Sequence, residues 1–157
     1  MIIDSHVHVF PPGFQERREE LVQRDATFQE LYSNPKAVLA SVNDLMDAID
    51  AAEVDAAVAV GIGWQDIELA REANDHLAEA VANSNGRLIG FCAVNPSWGD
   101  DAIAEIERCA EAGLRGIGEL HPNTQGFSID NGGMMAPLME AAKRLGLPVV
   151  AHSSEPV

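Results

Sequence analysis

IIDSHVHVFPPG, at residues 2–13, opens on an apolar, β-branched run that predicts a strand over residues 2–9. This strand runs into Phe10-Pro11-Pro12-Gly13 and not into a glycine-rich turn. A doubly wound nucleotide-binding sheet has a glycine-rich turn after its first strand. Neither G-x-G-x-x-G nor a Walker sequence occurs here, so the stretch argues against that fold.

The rest of the chain alternates between short apolar runs and amphipathic segments. The apolar runs predict further strands at residues 54–60, 87–94, 114–120 and 147–152. The amphipathic segments predict helices at residues 41–52, 66–83, 100–112 and 134–145. Ser41 followed by Asp44 is typical of a helix start, and Gly113 and Gly146 are typical of helix ends. This order implies right-handed βαβ crossovers and a parallel sheet in one domain.

Polar side chains gather where the predicted strands end. His6 and His8 lie near the end of the first strand, Glu119 and His121 at the end of the fourth, and His152 at the end of the fifth. Barrels of the (β/α)8 type keep their active sites at the C-terminal ends of the strands. The sequence therefore predicts an α/β fold of the (β/α)8 TIM-barrel type, of which this chain supplies the first five βα units.

The polar residues at the strand ends include candidate metal ligands. His6 and His8 project from the same face of a strand, and two neutral imidazoles can share one cation at distances of about 2 Å. His152 adds a third imidazole, and Glu119 could bind or bridge the metal or hydrogen-bond a ligand histidine. The alternatives to metal binding are that His6 and His8 face solvent from the first strand, that His152 is a core residue, and that Glu119 is a surface residue. His76 is predicted to lie on a solvated helix face.

Residues 10–40 form a connection that is too long for an ordinary link between a strand and a helix. We expect this insert to overlie the active-site face as a lid or specificity element, with an apolar wall made by Phe10, Phe14, Phe28 and Tyr32. Small helices packed on the barrel rim are the alternative. The candidates for a substrate pocket are Phe10, Trp64 and His121.

Composition limits the kinds of partner and compartment. The sequence carries 25 acidic against 10 basic residues, a formal charge of -15, which disfavours binding to nucleic acid and to anionic membrane surfaces. No apolar run approaches the roughly 20 residues that a membrane span needs. Cys92 and Cys109 are too few for a disulfide framework, and the start at Met1 leaves no room for a signal segment before the first strand. We therefore expect a cytoplasmic, soluble protein; the small-molecule substrate follows only from the resemblance described next.

Four segments together resemble one known family. They read DSHVHVF, GRLIGFCAVNP, GLRGIGELHP and LGLPVVAHSSEP. The chain resembles the amidohydrolase-related family of metal-dependent (β/α)8-barrel enzymes, and within it the branch of aminocarboxymuconate-semialdehyde-type decarboxylases. The likeness extends over nearly the whole sequence.

The resemblance implies a divalent metal, usually zinc, held by His6, His8 and His152. Glu119 stands at a position that carries a metal-interacting group in some relatives. The implied reaction is hydrolysis of a small amide, ester or lactone-like substrate through a metal-activated water, or decarboxylation of a small carboxylated substrate. In this family a histidine on the sixth strand and an aspartate on the eighth complete the catalytic set.

The length departs from the family pattern, because a (β/α)8 barrel needs about 250 residues and this sequence has 157 with five predicted strands. The sixth-strand and eighth-strand catalytic positions are therefore absent from it, and we expect residues 1–157 to be a C-terminally truncated barrel domain. A natural half-barrel, completed by a C-terminal partner or by forming a homo-oligomer, is the alternative. Two other functions stay open: a phosphoesterase of the H-x-H barrel type, and an inactive metal-binding half-barrel.

Overall fold

The computed structural model describes residues 1–153, in which five parallel strands form one sheet. The strands are β1 (Ile3–Val7), β2 (Ala56–Val60), β3 (Leu88–Cys92), β4 (Gly116–Leu120) and β5 (Val149–Ala151). They lie side by side in chain order, as in a barrel, whereas a doubly wound sheet reverses its strand order in the middle. The predicted fold, five βα units of an incomplete barrel, is confirmed.

Eight α-helices accompany these strands within residues 1–153. Three short ones lie in the insert after β1: α1 (Gly13–Glu16), α2 (Arg18–Arg24) and α3 (Ala26–Tyr32). The others are α4 (Val42–Ala51), α5 (Ile67–Asn83), α6 (Asp100–Glu111), α7 (Pro122–Gln125) and α8 (Gly132–Leu145), with a 3₁₀ turn at Pro96–Trp98. None of the helices in this part of the chain is long and apolar enough to cross a bilayer.

The helix ends follow the predicted capping residues. The Ser41 hydroxyl accepts a hydrogen bond from the Asp44 backbone N–H, and the Asp44 carboxylate accepts one from the Ser41 N–H, which makes a capping box. Gly146 ends α8 in the left-handed conformation, with φ of 67°. Strand β1 ends at Val7, two residues before its predicted end, and the Phe10 N–H that follows donates to the Ala40 carbonyl of the insert at 2.9 Å.

Burial varies strongly across the sheet. All five residues of β4 are buried, whereas β1, at one edge of the sheet, is mostly exposed. Ile2 and Ile3 at this edge are 60% and 44% exposed, because no strand among residues 1–153 pairs with the outer side of β1. An exposed strand edge of this kind is a surface on which another strand can pair.

The insert at residues 10–40 packs on the rim of the sheet. Phe10, Phe14 and Phe28 are buried together with Trp64, and the Phe28 ring stacks on Trp64 with centroids 5.6 Å apart. The carboxylate of buried Asp25 caps α3 and accepts hydrogen bonds from the backbone N–H groups of residues 65 and 66 after β2. The insert thus forms small helices on the rim, and its role as a lid stays a prediction.

His76 on α5 is half-buried, so the prediction of a solvated face was wrong for this residue. Its ring lines a groove with Pro12 and with Met46 of α4, and its Nε2 atom is buried without a hydrogen-bond partner among residues 1–153. The polar neighbours of His76 in the sequence gave no sign that α4 packs beside it.

A buried polar network joins α5, the end of β3 and α6. The Asn74 side chain donates to the Ala93 carbonyl at 3.0 Å and accepts from the Ala93 N–H at 2.8 Å. It also donates to the buried Glu105 carboxylate, which accepts two further hydrogen bonds from Arg108. These bonds hold the β3 end beside the two helices that cover it.

We predict that Asn74→Ala lowers the free energy of unfolding by about 2 kcal/mol, because it leaves the backbone groups of Ala93 and the Glu105 carboxylate buried without their amide partner. Urea denaturation followed by circular dichroism measures this. Asn83→Ala is the control, since Asn83 is exposed on the same helix and its side chain donates to the carbonyl of Glu79 one turn earlier. Equal losses in both variants would contradict the role assigned to Asn74.

Candidate metal centre

Four histidines surround one buried carboxylate at the C-terminal ends of β1, β4 and β5. We call the five side chains the metal centre: His6, His8, Glu119, His121 and His152. Oε2 of Glu119 lies 3.2 Å from His6 Nε2, 3.7 Å from His8 Nε2 and 3.3 Å from His121 Nε2. The other oxygen, Oε1, lies 2.9 Å from His152 Nδ1.

His8 is oriented by a backbone carbonyl of the neighbouring strand. Its Nδ1 lies 2.9 Å from the carbonyl oxygen of Val60 at the end of β2. A carbonyl only accepts, so Nδ1 carries the proton and Nε2 keeps its lone pair toward Glu119 and His6. Burial lowers the pKa of His8, although the Val60 bond opposes this. The neutral ring is in the state that binds a metal ion.

Glu119 is held by the backbone of the segment after β2. Its N–H donates to the Gly61 carbonyl at 2.6 Å, and the Gly61 N–H donates to the Gly118 carbonyl at 3.0 Å. Gly118 has φ of 130°, and a Cβ there would lie 2.4 Å from the Val150 carbonyl oxygen of β5. The glycine therefore permits the close approach of β5 that brings His152 to the carboxylate.

His121 is positioned by Gln125, a residue that sequence reasoning missed. The Gln125 side-chain oxygen accepts from the His121 backbone N–H at 2.8 Å, and its amide nitrogen donates to the carbonyls of Trp64 and Val94. One buried amide thus ties together the segments that follow β2, β3 and β4. Nothing local in the sequence distinguishes this glutamine from a surface residue, because its partners lie 31 and 61 residues away.

The spacing of the ligand atoms suits metal coordination. An ion with four ligands at about 2.0–2.1 Å holds them roughly 3.3 Å apart, close to the 3.2–3.7 Å between Glu119 and the imidazoles of His6 and His8. His6, His8 and Glu119 place their ligand atoms within 4.8 Å of one another, and so do Glu119, His121 and His152. The four predicted metal ligands are thus divided between two groups that share Glu119.

The histidines stabilise the ionised form of Glu119. Burial raises the pKa of this carboxyl, but the close imidazoles of His121 and His152 outweigh burial and lower it to about 2. The carboxylate is therefore charged near neutral pH and can serve as an anionic ligand. No other acidic side chain among residues 1–153 lies close enough to the four imidazoles to form such a group with them.

An open cavity of about 360 Å³ adjoins the metal centre. Besides the five centre residues it is lined by Leu31 and Tyr32 of the insert. Burial and the charge of Glu119 raise the pKa of the Tyr32 phenol to about 12, so its hydroxyl stays protonated and can donate a hydrogen bond. The volume suits a small molecule.

The predicted pocket residues occupy different places. His121 lines the cavity, while Phe10 and Trp64 are buried in the aromatic cluster of the rim and line only a narrow gap beside His8. Their rings pack against Phe14 and Phe28, so they support the insert that carries Tyr32. Of the proposed apolar wall, Tyr32 alone faces the cavity.

Comparison with known proteins identifies relatives among decarboxylases. The 2-amino-3-carboxymuconate-6-semialdehyde decarboxylase of Dictyostelium discoideum is 28% identical over 182 residues, covering 99% of this chain and 49% of the relative. The gamma-resorcylate decarboxylase of a Polaromonas species is 32% identical over 99 residues, covering 57% of this chain and 29% of the relative. This chain therefore spans half or less of the length of these relatives.

A solved structure with the same fold is the 5-carboxyvanillate decarboxylase of Novosphingobium aromaticivorans, with bound manganese and 3-methoxy-4-hydroxy-5-nitrobenzoic acid. It superposes with a TM-score of 0.79 at 23% identity, over 98% of this chain and 51% of that one. At 23% identity this structural likeness is evidence for the fold alone. The family is shown by a separate comparison, in which residues 3–156 match the sequence pattern of the amidohydrolases. This chain therefore belongs to the amidohydrolase family.

Proposed function

We propose that this chain carries the metal-binding part of a decarboxylase that acts on a small carboxylated substrate, with His6, His8, His152 and Glu119 as ligands of a divalent ion. The observation that carries the proposal is the buried Glu119 carboxylate with imidazole nitrogens at 2.9–3.7 Å, beside an open cavity. A purely structural carboxylate would not need four histidine neighbours.

Decarboxylation is favoured over hydrolysis by the relatives, since both curated proteins described above are decarboxylases. A phosphoesterase would need cations for the phosphate group, and no Lys or Arg lines the cavity within residues 1–153. Hydrolysis of an amide, ester or lactone is the second candidate, because the same ligands would serve a metal-activated water.

The ligand types suit several divalent ions. Three imidazoles and a carboxylate are common ligands of zinc, and we propose zinc as the resident ion. Manganese is the alternative, since it is the ion in the 5-carboxyvanillate decarboxylase structure. When bound, a divalent ion would polarise the carboxylate oxygens of the substrate.

The surrounding residues hold and orient the substrate. Tyr32 donates from its hydroxyl to a polar oxygen of the substrate, and Leu31 covers an apolar part. The Val60 carbonyl holds the proton of His8 on Nδ1, so the tautomer does not change when the substrate enters. Gln125 fixes the backbone of His121 at the cavity wall.

The metal ligands can be tested by titration. We expect His6→Ala and His8→Ala to weaken binding of Zn²⁺ or Mn²⁺ to the folded chain by about 10- to 100-fold, because each removes one coordinating nitrogen. Isothermal titration calorimetry of the metal-free protein measures the affinity. His76→Ala is the matched control, since His76 lies outside the metal centre. Unchanged affinity in both site variants would contradict the ligand assignment.

The reaction can be tested with two substrate panels. We expect the metal-loaded chain to release CO₂ from carboxylated substrates such as gamma-resorcylate or 5-carboxyvanillate when a C-terminal half that supplies the sixth- and eighth-strand positions is added, and chelation to abolish the release. A parallel panel contains small amides, esters and lactones. Hydrolysis without CO₂ release would favour the second candidate. A chain that binds metal but converts neither panel even with the C-terminal half added would support the inactive half-barrel predicted as an alternative.

The role of Tyr32 can be tested by binding of 3-methoxy-4-hydroxy-5-nitrobenzoic acid. We expect Tyr32→Phe to raise its Kd about fivefold, the effect of one lost hydrogen bond. The nitrophenol absorbance reports binding, and the metal content of both proteins is measured first, so that loss of metal is not mistaken for loss of the hydroxyl. An unchanged Kd at equal metal content would remove Tyr32 from the site.

A further inference from the structure

We propose that Arg18 of α2 is the positioning residue that holds Tyr32 at the cavity beside the metal centre. Its side chain bonds to the end of α3, the helix whose last residues, Leu31 and Tyr32, line the cavity. This inference rests on the proposed function, in which the Tyr32 hydroxyl binds the substrate, and it adds the residue that keeps that hydroxyl in place.

The Arg18 guanidinium donates to three backbone carbonyls at and after the end of α3. Nη1 lies 2.9 Å from the Tyr32 oxygen and 3.2 Å from the Asn34 oxygen. Nη2 lies 2.7 Å from the Ala37 oxygen, and it also donates to the side-chain oxygen of Gln15 at 3.0 Å. The bond to Gln15 orients the guanidinium plane toward the carbonyls. One side chain thus joins α2 to the end of α3.

The Tyr32 carbonyl needs such a donor because it stands at the end of a helix. The last carbonyls of a helix have no partner within it, and an arginine side chain is one of the groups that can bond to them. Residues 33–36 that follow are exposed, and the Ala37 N–H closes a turn on the Asn34 carbonyl at 2.9 Å. Arg18 bonds to the carbonyls at both ends of this turn and thereby ties it to α2.

The Tyr32 ring is supported by aromatic neighbours, whereas its backbone is held by Arg18. The ring centroid lies 4.9 Å from that of Phe10, edge to face, and 5.2 Å from that of Phe28. Apolar contacts of this kind are not directional, so they leave the ring free to slide. A hydrogen bond from the phenol to a ligand requires an oxygen at about 2.5–3.0 Å. A small shift of the α3 end would therefore be enough to break it.

The arrangement requires an arginine at this position. A guanidinium presents its donors in a rigid fork, so Nη1 and Nη2 can serve separate carbonyls, whereas a lysine ammonium is a compact point charge. The neighbouring Arg17 and Arg24 both bond to the Glu20 carboxylate. The bonds of Arg18 described above go to uncharged oxygens, so removing its guanidinium leaves none of those partners with an unpaired charge.

The experiment uses the single tyrosine of the sequence. Labelling with 3-fluorotyrosine gives one fluorine resonance, whose chemical shift reports the surroundings of the Tyr32 ring. We expect Arg18→Met to move this resonance toward that of the urea-unfolded chain, and Arg18→Lys to move it in the same direction. Arg24→Met is the matched control with an unchanged resonance, since Arg24 lies on the same helix and bonds to the carboxylates of Glu20 and Asp66.

A double-mutant cycle tests whether Arg18 acts through the Tyr32 hydroxyl. We expect Arg18→Met to raise the Kd of 3-methoxy-4-hydroxy-5-nitrobenzoic acid for the metal-loaded chain about fivefold, the effect of one lost hydrogen bond. When Tyr32→Phe is already present, we expect Arg18→Met to change the Kd by less than about twofold, because the hydroxyl that it positions is gone. A general loss of order in the insert would raise the Kd by the same factor in both backgrounds.

The outcomes separate this inference from the proposed function. An unmoved fluorine resonance in Arg18→Met and Arg18→Lys would overturn the inference and leave the proposed function standing. An equal effect of Arg18→Met on the Kd in both backgrounds would overturn it as well. A metal-loaded wild-type chain that does not bind the nitrobenzoic acid would contradict the proposed function, while a moved resonance would still support Arg18 as the residue that holds Tyr32.

Circular dichroism shows whether each variant is folded. If Arg18→Met does not fold, Arg18→Lys takes its place in both measurements, because it keeps the charge and the aliphatic stem and removes only the fork of donors.

Discussion

Around the buried Glu119 carboxylate, imidazoles from three different strand ends meet. Removing a carboxylate from water costs several kcal/mol unless nearby groups compensate for it, and Glu119 is only 6% exposed. Here the compensating groups are His6 and His8 from the β1 end, His121 after β4 and His152 after β5. The same contact that keeps the carboxylate ionised therefore also fixes where these strands end relative to one another.

Most of the strands and helices could be predicted because their signals are local. The Ser41–Asp44 capping box and the left-handed Gly146 use only neighbouring residues, and short apolar runs between such helices suffice to predict a parallel sheet. The rim helices were predicted only as the alternative to a lid, and their positions could not be derived from local signals. They depend on contacts such as Phe28 on Trp64, 36 residues further along the chain, and on the pairing of Phe10 with Ala40.

In the candidate site, too, the features set by local signals could be predicted and those set by long-range contacts could not. Parallel strands deliver their C-terminal ends to one edge, so the convergence of His6, His8, Glu119 and His152 could be expected from the sequence alone. The tautomer of His8 could not, because it depends on a backbone carbonyl 52 residues away. The position of His121 likewise depends on the Gln125 amide, whose other partners lie 31 and 61 residues away.

Five strands already curve enough to assemble the metal centre. The end of β2 bonds directly to the end of β4 through Gly61, Gly118 and Glu119, across the end of β3. This draws the edge strand β1 toward β4 and β5, so that ligands from both edges of the sheet reach one carboxylate. A cation bound there joins those edges, and its binding free energy adds to the stability of the folded sheet. The proposed metal ligands are thus the same residues that bring the strand ends of the curved half-barrel into contact.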